Sequence, residues 1–106
     1  MSNWVEYDNG KSIGKIGAEG GVILRDEEHA RGGRVTLKQG KAFVSVSCHV
    51  YGWIDHTRFF NTLGEAQREF IIMRTTLGSM MDDILAVGAD DIKMWEAIAN
   101  FVRKYP

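Results

Sequence analysis

Cysteine is scarce in this sequence, an excess of basic charge is missing, and no long apolar run occurs. Cys48 is the single cysteine among 106 residues, so no intramolecular disulfide can form. That favours a reducing compartment and predicts a cytoplasmic protein. The 13 Lys and Arg stand against 14 Asp and Glu, for a formal net charge of −1, with the two signs interleaved along the chain. A protein that binds by neutralising phosphates carries a clear basic surplus, so nucleic acid is not an expected partner. The apolar runs are a few residues long, against the ~20 that a membrane helix requires. The opening residues, MSNWVEYD, lack the basic-then-apolar order of a secretory signal. Neither membrane insertion nor export is expected.

What the chain does hold is ordinary globular composition, 44% apolar and 25% charged. Its length suits one domain with one core over residues 1–106. Residues 8–21 are crowded with glycine (Gly10, Gly14, Gly17, Gly20, Gly21) and read as an irregular lead-in after a short strand at Trp4–Tyr7.

From Gly21 a two-residue rhythm sets in. Val22–Arg25 is a short apolar run; Asp26–Arg31 is a charged stretch read as a solvated loop, with His29 exposed in it; Gly32-Gly33 turns the chain. Val35 and Leu37 then alternate with Arg34, Thr36 and Lys38. The stretch from Ala42 to Phe60 reads as one long strand. Its even positions carry Val44, Val46, Cys48, Val50 and Ile54, and its odd positions carry His49, Tyr51, Trp53 and Asp55. Nineteen residues exceed the usual strand length, so a bend is expected, and Gly52 is its natural place. The lead-in (1–21), the meander (22–60) and the segment after it thus begin with three or four antiparallel strands.

After Phe60 the rhythm changes to three and four. Thr62 and Glu65 fit a capping box. Leu63, Ala66, Phe70, Met73, Leu77, Met80, Ile84 and Val87 form an amphipathic stripe, widened by Ile71, Ile72, Met81 and Leu85. Gly78-Ser79 offers a break, Gly88 a stop and Asp90 a new cap. The final helix would bury Ile92, Trp95, Ile98, Ala99, Val102 and Tyr105. The fold class is therefore α+β: a meander of three to four antiparallel strands, then two helices (three if the first breaks), over 62–105, packed on one sheet face.

No constellation of residues carries a recognisable reaction. Gly10-Lys11-Ser12 looks like the end of a phosphate loop, but Val5 occupies the position of that loop's first glycine. Cys48 and His49 are neighbours on a strand and point to opposite faces, so the imidazole cannot activate the thiol. His29, His49 and His56 match no metal-ligand spacing, and no metal or cofactor is expected. What stands out is the row His49, Tyr51, Trp53 and Asp55 with Arg58 beyond it, in which Tyr and Trp pair large contact area with a polar handle. The expected function is a non-enzymatic interaction or regulatory protein acting through its sheet surface, as a homodimer or against another protein. The alternative is a small-molecule binding domain or enzyme with a pocket around those residues.

Overall fold

In the computed structural model, which describes residues 3–17, 20–86 and 91–106, a five-stranded antiparallel sheet precedes two helices. The strands are β1 (Trp4–Glu6), β2 (Val22–His29), β3 (Gly33–Gln39), β4 (Val44–Val50) and β5 (Ile54–Phe60), and they lie side by side in chain order. The helices are α1 (Leu63–Ala86) and α2 (Asp91–Lys104). The α+β class and the one-sided packing of helices stand as the sequence indicates.

Two readings of the sheet are corrected. The stretch Ala42–Phe60 does not bend; it reverses. Tyr51-Gly52-Trp53 is a tight turn, closed by Trp53 N–H donating to the Val50 carbonyl at 2.9 Å, with Gly52 at φ +80°. A side chain there would be strained, and glycine is not. β4 and β5 pair Val44 with Phe60 through Val50 with Ile54. Because even residues face even residues, reversal leaves each side chain on the face that a straight strand would give it.

The second correction concerns the charged stretch. Asp26 to His29 are not loop but the second half of β2, paired with Arg34 to Thr36 of β3 and with β1. Asp26 and His29 are buried, at 1% and 3% exposure. Tertiary partners account for this: Arg34 and Thr36 take up the Asp26 carboxylate, and Glu27 is bridged by Arg25 (2.9 Å) and by Arg74 of α1 (2.6 Å). A charge so matched can enter a strand that its own propensity disfavours.

The core lies between the sheet and α1. Val35, Leu37, Val44, Val46, Cys48 and Val50 present one face, and Ala66, Phe70, Met73, Leu77 and Met81 answer it. Thr62 caps α1 by accepting the Glu65 N–H at 3.2 Å, as the capping motif indicates. The helix runs unbroken through Gly78-Ser79. Gly78 is there for packing: a Cβ on it would sit 2.6 Å from the Trp4 indole nitrogen. Asp82, awkward near a helix C-terminus, is met by one hydrogen-bond donor and two basic side chains from the β1–β2 end. Asn3 Nδ2 lies at 3.0 Å, His29 Nε2 at 3.2 Å and Arg31 Nε at 3.4 Å. Partial desolvation pushes the Asp82 carboxyl up, but the Asn3 hydrogen bond and the nearby His29 and Arg31 outweigh it and hold it below its ordinary value. The Gly88 stop and the Asp90 cap lie outside the described residues, as do the side chains of Ile84, Leu85 and Val87.

α2 is rotated from its sequence expectation. It buries Met94, Ile98 and Phe101, with Tyr105 buried just beyond its end, whereas Ile92 and Trp95 stay 69% and 56% exposed. The methionines of α1 and α2 go mainly to the core: Met73, Met81 and Met94 are buried and Met80 is half-buried.

In an open helix Gly78→Ala would gain about 1 kcal/mol from helix propensity. Against the pinned Trp4 ring, overpacking should cost roughly 1–3 kcal/mol and reverse the sign. Urea titration should show Gly78→Ala less stable than the parent; a gain in stability would mean that the contact is slack.

Candidate functional site

With the helices on one face, the other face of the sheet is left to Arg34, Thr36 and Lys38 of β3, Ser45, Ser47 and His49 of β4, and Asp55, Thr57 and Phe59 of β5. Alternation alone puts them there. The lead-in crosses one side of this outer face. It turns at Asp8-Asn9-Gly10, three successive residues of left-handed φ (+50°, +56°, +81°), which short polar side chains and glycine tolerate. Tyr7 beside them is clamped under Arg34, whose guanidinium carbon lies 3.6 Å from the ring centre.

Arg34 is the anchor of that side. Its Nε and Nη2 donate to Asp26 Oδ1 and Oδ2 at 2.9 and 2.6 Å, and Thr36 Oγ1 adds a third bond at 3.0 Å. Its pKa is raised, chiefly by the hydrogen bond to Asp26 and despite partial burial. Such a pair holds strands and lead-in together and leaves Arg34 little to offer a ligand.

Between these walls lies an open cleft of about 310 Å³, lined by Lys38, Ser47, His49, Asp55 and Thr57 among others. Ser47 Oγ and Thr57 Oγ1 are 2.9 Å apart on its floor. His49 and Asp55 face each other across the β4–β5 ladder with no hydrogen bond or ion pair between them. A second depression of about 190 Å³ adjoins it toward the β3–β4 turn, bordered by Lys38, Lys41, Phe43, Ser45 and Phe59. Phe43 and Phe59 meet edge to face at 6.3 Å, and both are more than half exposed.

The row anticipated from the sequence is therefore divided. His49 and Asp55 come together on the outer face. Tyr51 sits on the turn, 83% exposed, bordering a third depression of about 260 Å³ with Tyr7 and Arg34. Trp53 is half-buried and packs its ring against Trp95 of α2 at 5.2 Å. Arg58 lies on the inner face: it donates to Glu69 Oε1 of α1 at 2.7 Å, and its guanidinium sits over the Phe60 and Tyr105 rings. Sequence reading missed Lys38, Ser47, Thr57, Phe43 and Phe59 as members of the site. Their signal was available in the alternation, once the reversal at Gly52 folds the odd positions of β5 back beside those of β4.

The histidines are dispersed. His29 is buried between Trp4 (ring centres 5.1 Å apart) and α1, and its Nδ1 accepts the Arg31 N–H at 3.1 Å, which places the ring proton on Nε2. That nitrogen is near Asp82 but not aligned with it as a hydrogen bond. His56 faces inward and bonds through Nε2 to the Tyr105 carbonyl. Among the described residues no three metal-binding side chains converge. Gly10-Lys11-Ser12 follows a 3-10 turn, Tyr7–Gly10, and leads into further turns, not a helix.

Comparison with known protein families, with curated proteins and with solved structures finds no match. The outer face must be read from its own chemistry.

Cys48 lies on the inner face, fully buried, with its thiol pushed up to about 12 by burial, against a smaller opposing effect of Arg58. It cannot act as a nucleophile from there. Since the folded value exceeds the unfolded one, the neutral thiol favours the fold below about pH 9, and that contribution is lost as pH rises from about 9 toward 12. Iodoacetamide at pH 8 should label Cys48 only in denaturant, and labelling of the native protein at the free-thiol rate would refute its burial.

Proposed function

We propose that this chain is a binding domain with no reaction of its own, which engages another protein through the outer face of its sheet. The observation that carries this reading is the exposed Phe43–Phe59 pair with the exposed Lys41 beside it. An apolar patch rimmed by charge is the usual mark of a protein interface. The complementary partner presents an apolar side chain beside a carboxylate. The shallow, open form of the depressions supports contact with a surface over enclosure of a small molecule. A cytoplasmic setting, where a lone buried thiol stays reduced, suits this reading, and among the described residues no helix is long and apolar enough to cross a membrane.

A second reading rests on one specific feature. The 310 Å³ cleft gathers His49, Asp55, Ser47, Thr57 and Lys38, which is a polar set able to orient a small ligand. It predicts that His49→Ala and Asp55→Ala abolish function while Phe43→Ser does not.

The protein-partner reading is tested by placing a photo-crosslinking phenylalanine analogue at position 43 in cells, with position 67 on the exposed surface of α1 as control. A discrete adduct with a different protein is expected from position 43 alone. Lys41→Glu should weaken it several-fold, as loss of complementary rim charge slows encounter. Equal adducts from both positions, or none from 43, would rule the reading out.

A further inference from the structure

The sheet has one closed edge and one open edge. On the β1 side the edge strand is three residues long and runs directly into the left-handed turn at Asp8-Asn9, so it offers almost no ladder. On the other side β5 is seven residues long, Ile54-Asp-His-Thr-Arg-Phe-Phe60, with no proline, no lysine and no bulge, and its inward-pointing Arg58 is neutralised by Glu69 of the same chain. Natural edges usually carry one of those devices, because a bare edge invites another strand.

Which groups are bare follows from the hydrogen bonds at the turns. Tyr51 N–H donates to Gly32 O (3.1 Å) and Gly40 N–H to Phe43 O (2.9 Å), so the odd residues of β4 bond to β3. Its even residues bond to β5, which begins from the Trp53-to-Val50 bond. Bonded and non-bonded pairs alternate in an antiparallel ladder. His56, Arg58 and Phe60 therefore turn their main chain toward β4, and Asp55, Thr57 and Phe59 turn theirs outward. Among the described residues no main-chain group bonds to those outward amides and carbonyls.

A second, independent feature lies above the same edge. α2 buries one stripe, Met94, Ile98 and Phe101, continued by Tyr105 just past its end, yet carries another at equivalent helical spacing: Ile92, Trp95, Ala99 and Val102. Ile92, Trp95 and Ala99 are exposed and Val102 is half-buried. Trp95 rests on Trp53, the residue preceding β5, and the C-terminal end of α2 lies over His56 through the Tyr105 carbonyl. The spare apolar stripe and the bare strand thus border one side of the molecule at two heights.

We infer that a second copy of this chain occupies that side, with β5 pairing antiparallel to β5 about a two-fold axis through Thr57. This register satisfies every outward group of the strand, Asp55 against Phe59 of the second copy and Thr57 against itself. On the inner face it sets Ile54 opposite Phe60, and His56 opposite an Arg58 whose charge is already matched by Glu69. An isolated peptide strand could satisfy the edge but would leave the α2 stripe wet. A second copy brings a strand and an apolar helix flank at the same two heights, which is the self-complementarity of an isologous interface. The result is a continuous ten-stranded sheet covered on one face by the helices of both copies. This inference rests on the main chain of β5 and the flank of α2, although the side chains of Asp55, Thr57 and Phe59 also border the outer face. Its readout is the mass of the assembly, not capture of a different protein, so it survives or fails apart from the function proposed above.

Light scattering on the purified chain should give twice 11.9 kDa. Trp95→Glu, at an exposed position, should keep the fold and raise the dimer dissociation constant by roughly 30-fold or more, as loss of an aromatic anchor does. Thr57→Pro removes an outward amide that β4 does not use and should give a monomer. If proline unfolds the strand, Thr57→Cys supplies the test. Opposed Cα atoms of a hydrogen-bonded pair are ~5.5 Å apart, within disulfide reach. Mild oxidation should then link the copies, whereas the exposed Tyr51→Cys should stay single. A parent chain that is monomeric at all concentrations overturns the inference. So does a dimer that ignores Trp95→Glu or that Thr57→Cys fails to cross-link.

Discussion

Side chains from one face of β3 and β4 meet one stripe of α1 with water excluded, and the position of everything else follows from that contact. Val35, Leu37, Val46, Cys48, Phe70, Met73, Leu77 and Met81 are essentially inaccessible. Each large side chain so buried contributes about 1.5–3 kcal/mol, far more than any ion pair at the rim. The ion pairs decide orientation. Arg74 with Glu27 on the β2 side and Glu69 with Arg58 on the β5 side straddle the apolar strip and fix the rotation of α1 over it. Partly exposed pairs of this kind add little stability but discriminate between rotational settings.

Once α1 claims one face, the outer face is determined by parity. Residues between the core valines must point away from them, so Ser45, Ser47 and His49 line up beside Thr36, Lys38, Asp55 and Thr57 without any further constraint. The lead-in gives this surface its relief. Arg34, bound to Asp26 below and to Tyr7 above, fastens the lead-in against β3 and turns a flat sheet into a face with clefts. Structure and candidate function thus share one element, since the ion pair that allows charge into β2 also shapes the surface beside it.

Much of this was legible in the residues. The two-residue rhythm of Val35 to Val50 and the three-to-four rhythm from Leu63 onward gave the inner and outer faces, the cap at Thr62 and the class of the fold. The hairpin at Gly52 was harder to read, because a strand that reverses with even-to-even pairing keeps the same alternation as one that continues. Only the length and one glycine distinguish them. The strand at Asp26–His29 was harder still. Its charges are neutralised by Arg34 and Arg74, eight residues away from Asp26 and 47 away from Glu27, and neither relation has a local signature. The rotation of α2 escaped because its apolar arc is wide enough for two stripes, and periodicity does not say which one meets the core.

By itself the sequence determined the order of elements and the side of each strand residue, since both follow from the geometry of a single extended or helical segment. The tertiary structure decided what depends on distance across the chain. It paired His49 with Asp55, sent Arg58 and Trp53 to the helices, buried Asp26 and His29, and left β5 as an open edge beneath a spare apolar flank. Backbone periodicity is a local property; the partner of a side chain is not, because it is fixed only when separate segments compete for the same dry volume.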